Sequence, residues 1–150
     1  MEIQGTVRDI IQHKGREVWT TTPEASVYEA IGLMGEKNIG AVVVTDSSGK
    51  LLGVLSERDY SRKVVLKGRT SRDTLVGEIL DPGVYSVVYK DPIERCMEMM
   101  TEHRIRHLPV VEDGELMGLI SIGDLVRWAM ESQKQTIQQL QGYISGDYPG

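Results

Sequence analysis

The sequence has no phenylalanine, and aromatic residues make up only 5% of its 150 positions. Any hydrophobic core must therefore be assembled from aliphatic side chains and methionine. There is one cysteine, which excludes an internal disulfide and a cysteine-built zinc site. A reducing compartment, the cytoplasm, is the simplest setting for such a chain. No run of 18 or more apolar residues occurs, so no transmembrane helix is expected. The opening residues MEIQGTVRDI lack the basic region and apolar core of a secretory signal. An excess of positive charge is missing too: 17 Lys+Arg against 22 Asp+Glu leave a net charge of −5. A nucleic-acid surface is disfavoured by that balance and by the scarcity of aromatics. Neither a G-x-x-x-x-G-K-[ST] phosphate loop nor a G-x-G-x-x-G dinucleotide fingerprint is present. What remains, 40% hydrophobic and 26% charged residues, is an ordinary globular composition in a chain long enough to bury a core without covalent staples.

What is present is an internal repeat. Val27, Ala30, Ile31 and Met34 stand at i, i+3, i+4 and i+7; Ile93, Cys96, Met97 and Met100 do the same 66 positions later. Ile39 matches Ile105, and Val42–Val44 matches Leu108–Val110. Leu51-Leu52-Gly53-Val54-Leu55-Ser56 matches Leu116-Met117-Gly118-Leu119-Ile120-Ser121, and Asp59 matches Asp124. The lead-ins agree as well, Val7-Arg8-Asp9-Ile10-Ile11 with Val76-Gly77-Glu78-Ile79-Leu80.

Each copy reads β-α-β-β-α, an α/β (α+β) pattern in two tandem units over 6–67 and 74–141. A strand (Val18 to Thr22; Val84 to Val88) precedes an amphipathic helix. Ser26-x-x-Glu29 is a capping-box start for the first helix, and Pro92 opens the second. Apolar strands follow at Ala41 to Thr45 and Leu108 to Glu112, then at Leu51 to Leu55 and Leu116 to Ile120, with Asp/Ser/Gly turns between them. Second helices start at Ser56 and Ser121. The last one carries Leu125, Ala129, Ile137 and Leu140 on one stripe, and residues 142–150 read as a frayed tail. A single copy would leave a sheet face open; two packed together bury both.

The recurring G-h-h-S-x-x-D pattern carries the candidate chemistry: Gly53 to Asp59 and Gly118 to Asp124. A strand delivers the chain to a helix N-terminus, where backbone N–H groups and the helix dipole suit an anion. The Ser hydroxyl can donate to a phosphate oxygen, and the Asp one turn on can accept from two neighbouring ribose hydroxyls. S-x-x-D is equally a helix cap, and both uses can coexist.

The duplicated unit with this motif resembles the CBS domain, and the pair resembles a Bateman module, over about Thr6 to Tyr148. The segments Ser56-Glu57-Arg58-Asp59-Tyr60, Arg104 to Val110 and Ser121 to Asp124 look most like small stand-alone CBS-pair proteins of bacteria and plant mitochondria. The resemblance implies two clefts related by a pseudo-two-fold. It also implies an adenosyl ligand (AMP above all, or ADP, ATP, NAD(H) or S-adenosylmethionine), regulation rather than catalysis, and a homodimer. The first cleft would use Ser56, Arg58 and Asp59, with Ser86 and Val88 near the base and Arg106-His107 facing the phosphate. The second would use Ser121 and Asp124, with Thr20, Thr22 and Ala25 nearby and Gly40-Ala41 in the facing position. Arg106 and His107 make the first cleft the expected phosphate site, and a charge gained by His107 below a pKa of about 6.5 would make binding pH-sensitive.

Other features take structural readings beside functional ones. The cations Arg58, Arg62, Lys63, Lys67, Arg69 and Arg72 form either a solvated face or further phosphate contacts. Cys96 aligns with Ala30 and reads as a small core residue. His13, His103 and His107 are not spaced as a metal site. Trp19 and Trp128 read as packing residues, with base stacking open to Trp19. Two rival functions remain: a ligand-independent scaffold that docks onto and tunes an enzyme, such as a redox enzyme, and an enzyme acting on nucleotides, for which no nucleophile or metal set is visible.

Overall fold

The structure, a computed structural model, describes residues 3–81 and 83–145, with side chains described as far as Lys134. The elements run α1 (Val7–Lys14), β1 (Thr20–Thr21), α2 (Val27–Lys37), β2 (Ala41–Thr45), β3 (Leu51–Ser56) and α3 (Glu57–Tyr60). A π-helical stretch, Ser61–Val65, extends α3. Then come α4 (Val76–Ile79), α5 (Ile93–His103), β4 (His107–Glu112), β5 (Glu115–Ser121) and α6 (Ile122–Ser145). The helix α6 continues through residues 142–145, which were expected to fray. Residues 146–150 of that tail, and the side chains of Ile137 and Leu140, lie outside the described residues.

The repeat is visible in the local geometry. Ser26 Oγ accepts from Glu29 N–H at 3.1 Å and caps α2. Pro92 stands at the N-cap of α5, one position before the expected helical residue. Both helices end on a left-handed residue, Asn38 (φ 55°) and Arg104 (φ 54°), which are counterparts in the repeat. Both hairpins carry a register shift at the same place, Val44/Thr45 and Val110/Val111.

The cores do not follow the sequence boundaries of the two copies. One cluster joins Val7, Ile10 and Ile11 of α1 to Val87, Ile93, Cys96, Met100, Leu108, Val110, Ile120 and Leu125. The other joins Val76 and Ile79 of α4 to Val27, Ala30, Met34, Val42, Val44, Leu55 and Val64. Each lead-in is thus exchanged into the opposite half. Backbone bridges tie them there, Thr6 to Pro92 and Ser26 to Leu75. An eight-residue helix is marginal by itself. Burying Val7, Ile10 and Ile11 supplies about 1.5–3 kcal/mol for each side chain and fixes α1 in place.

The glycine of G-h-h-S-x-x-D serves this exchange. A Cβ on Gly53 would stand 2.9 Å from Leu80 Cδ1, just beyond α4, and one on Gly118 would stand 2.6 Å from Ile11 Cδ1. The glycines let the exchanged lead-ins lie against the hairpins.

The halves differ in one strand. In the first, β1 pairs parallel with β2, Thr20 opposite Val43 and Thr21 opposite Val44, giving the order β1-β2-β3. The strand expected at Val84 to Val88 is reduced to a single bridge, Val87 to Val110. Proline explains the correction. In the first half Val43 N–H donates to Trp19 O at 3.0 Å. The counterpart of Val43 is Pro109, which has no N–H to offer Tyr85, so the ladder stops at Val87.

Candidate functional site

Pro109 therefore shapes an opening between the halves. The unpaired Tyr85 turns to His103 and stacks on its ring, centroids 3.8 Å apart and planes at 17°. The pair stands on the wall of a cavity of about 570 Å³ that is also lined by Ser56, Arg58, Asp59, Arg62, Arg106 and His107. Ser56, Arg58, Asp59, Arg106 and His107, expected in the first cleft, line this one cavity. Ser86 and Val88 are not among its lining residues; Val84 and Tyr85 of the same segment are. Val88 is engaged with the start of α5, its N–H donating to Asp91 Oδ2 at 2.9 Å. Gly40, assigned from the sequence to the second cleft, lines this first one.

Ser56 and Asp59 form the cap that the motif allows. Ser56 N–H and Oγ–H donate to Asp59 Oδ2 at 2.8 and 2.9 Å, and Asp59 N–H donates back to Ser56 Oγ at 3.2 Å. Glu57 N–H donates to Gly40 O at 3.1 Å. Three amides of this turn and the serine proton are thus already engaged, so anion attraction here falls to side chains rather than to the helix start. Asp59 Oδ1 is the freer oxygen, with Lys63 Nζ at 3.6 Å.

Four arginines, Arg58, Arg62, Arg104 and Arg106, line this cavity. Arg62 and then Arg106 depress the Arg58 pKa below its ordinary value, by like-charge crowding that the nearby Asp59 only partly offsets. Of the other cations, Arg69 is paired with Glu78 and Arg72 covers the Tyr28 ring at 3.9 Å, both structural uses. Lys63 donates to Asp81 at 2.7 Å and to Ile79 O at 2.9 Å, tying α4 to the helix after β3. Burial lowers the His107 pKa, Lys14 and Arg106 lower it further, and Asp124 and Asp59 act against them. His107 is therefore neutral at neutral pH and charges at lower pH than its unperturbed value would suggest.

At the second motif, Ser121 N–H and Oγ–H donate to Asp124 Oδ2 at 2.8 and 3.0 Å. Here the acid is already paired: Lys14 Nζ lies 2.6 Å from Oδ2 and Arg127 donates to Oδ1 at 2.7 Å. Burial alone would raise the Asp124 pKa, but the bonds from Lys14 and Ser121 outweigh it and hold the carboxyl below its usual value. Thr20 pairs in the sheet, Thr22 O accepts from Ala25 N–H at 3.2 Å, and Ala25 packs on the first core, so these three are engaged within their own half.

The sequence reading missed Lys14, Tyr85, His103 and Arg104. The proline inside a strand pattern was the available signal for Tyr85; nothing local marked Lys14 as the partner of Asp124. Cys96 is buried and its thiol is pushed up to about 11, chiefly by burial. Trp128 donates to Gln4 O at 2.8 Å, and Lys37 covers the Trp19 ring at 4.3 Å, so both indoles have structural partners. Among the described residues no cluster of His, Cys, Asp and Glu could hold a metal ion, and no helix is long and apolar enough to cross a membrane.

A family model described as the CBS domain matches residues 7–65 and 76–131. The mitochondrial CBS domain-containing protein CBSX3 of Arabidopsis thaliana is 37% identical over 152 residues, spanning 95% of this chain and 73% of the relative. A protein with CBS domains from Burkholderia ambifaria MC40-6 superposes with a TM-score of 0.82 at 47% sequence identity, covering 86% of this chain and 96% of that one. The CBS domain pair of protein MJ0100, solved in complex with 5′-methylthioadenosine and S-adenosyl-L-methionine, is similar in fold alone, with a TM-score of 0.77 at 22% identity over 86% of this chain and 98% of that one.

Proposed function

The chain belongs to the CBS-domain family, and from that premise we propose that it is a regulatory module whose first cleft takes a phosphorylated adenosyl ligand, AMP foremost, with ADP, ATP and NAD(H) as the related candidates. The observation that carries this reading is the pairing, in one cavity, of a carboxylate with a spare oxygen and a group of crowded guanidiniums. Asp59 Oδ1 accepts from the ribose hydroxyls. Arg58, Arg62 and Arg106 meet the phosphate, which disfavours S-adenosylmethionine, a cation at its sulfur. The base lies toward Val84 and Tyr85. The cavity is of the size that small-molecule ligands occupy.

Because the lining comes from both repeats, the ligand bridges them and biases their relative arrangement, by no more than its differential affinity for the two states. The module acts as a homodimer. Ile122, Val126 and Met130 form an exposed apolar row, four residues apart, along α6. A reducing compartment, the cytoplasm, is its proposed location.

The test is thermal unfolding against AMP, ADP, ATP, NAD⁺, NADH and S-adenosylmethionine, on protein first shown by mass spectrometry to carry no co-purified ligand. A ligand at 100 times its dissociation constant stabilises by about 2.7 kcal/mol. For this size that raises the midpoint by roughly 5–11 °C. The rise is expected with a phosphorylated ligand and is lost in Asp59→Ala. No rise with any of the six overturns the reading in favour of a ligand-independent scaffold.

A further inference from the structure

The two motif acids differ in what already holds them. Asp124 is only 6% exposed and is gripped on both oxygens, by Lys14 on Oδ2 and Arg127 on Oδ1. Asp59 is 25% exposed and meets one cation, Lys63, at the longer distance of 3.6 Å. Lys14 arrives from the exchanged helix α1, and its ammonium donates a second bond to Leu119 O at 2.6 Å. Past Leu80 the two lead-ins diverge: α1 continues as helix to Lys14, whereas α4 ends at Ile79. Gly83, which has no side chain, lines the open first cavity.

We propose that Lys14 and Arg127 are built-in occupants of the second cleft: between them they hold both oxygens of the carboxylate that a ribose would use, so each chain binds one adenosyl ligand, at Asp59, and not two. This rests on the adenosyl reading of the first cleft. A neutral pair of hydroxyls does not displace the two cations, because charge-assisted bonds are stronger than neutral ones and removing the cations leaves a carboxylate unpaired at a buried position. The exchange of α1 and α4 thus does two jobs. It completes both cores, and through Lys14 it makes the two clefts unequal.

Isothermal titration with AMP and with ATP tests this by stoichiometry. Wild type is expected to bind one nucleotide per chain and Asp59→Ala none. Lys14→Met/Arg127→Met, which keeps much of the length of both side chains without their charge, is expected to bind two. Gly83→Lys carries a cation to the first cleft and is expected to abolish binding with the circular dichroism spectrum unchanged. Position 83 has open space around it and no positive φ, so this variant folds even if the double variant does not. Two sites in the wild type, one remaining site in the folded double variant, or undiminished binding by Gly83→Lys overturns the role of Lys14 and Arg127 while leaving the adenosyl reading in place. Absence of binding to the wild type and to the double variant overturns both.

Discussion

Gly118 lies directly under Ile11: a Cβ at position 118 would come within 2.6 Å of the Ile11 Cδ1, across the contact between β5 and the exchanged helix α1. The same relation joins Gly53 to Leu80 at 2.9 Å in the other half. The motif glycine is a packing residue in both copies.

Gly118→Ala is accordingly expected to destabilise the fold by about 1–3 kcal/mol, the usual range for overpacking a filled core. Ile11 is buried, while Leu80 is only partly so, and Gly53→Ala should have the smaller effect. Ile11→Val removes the clashing methyl. In urea denaturation, Ile11→Val/Gly118→Ala is expected to be more stable than the sum of the single changes; strict additivity would show that the two positions do not meet.

Pro109 breaks the parallel ladder, and Pro109→Val restores the missing donor. The added hydrogen bond contributes about 0.5–1.5 kcal/mol net. Losing proline from the unfolded chain removes about 0.4–1 kcal/mol. The two nearly cancel, so the midpoint of unfolding should hardly move. The structural effect is larger: the new amide at position 109 pairs with Tyr85 O and becomes protected from hydrogen exchange, and Tyr85 leaves the His103 ring. An unprotected amide at 109 would contradict this account of the missing strand.

Arg106→Ala removes one of the four arginines that line the cavity. A hydrogen bond to a charged group contributes about 1.5–3 kcal/mol, so AMP affinity should fall by roughly ten- to a hundred-fold. Adenosine, which has no phosphate, should bind both proteins alike. Equal losses for AMP and adenosine in a titration would mean that Arg106 meets the nucleoside instead.

His107 couples folding to pH. Its folded-state pKa lies below its unfolded value, first because of burial and then because of Lys14 and Arg106. Below about pH 6.5 the unfolded chain takes up a proton that the folded one refuses. The contribution is complete above that pH and is lost as pH falls through the unfolded and then the folded value. Urea denaturation at pH 7.5 and 5.5 should show a stability loss on acidification that is smaller in His107→Gln. An equal loss in both proteins would assign the effect to other groups.

The sequence by itself determined what depends on neighbouring residues. The helical and strand periods, the cap at Ser26, and the reciprocal Ser56/Asp59 and Ser121/Asp124 caps all lie within one or two turns of chain, and the duplication is a comparison of two such local patterns. The family is legible in the same way, because the motif that marks it is local. Tertiary structure decided which lead-in packs on which half. Two similar copies present two similar apolar faces, and periodicity does not say whether α1 belongs to its own half or to the other. That choice sets the Lys14 ammonium against an acid 110 positions away. Tertiary structure also brings Arg106 to Arg58. The inequality of the two clefts arises from these long-range contacts, which exist only once the exchanged helices are seated.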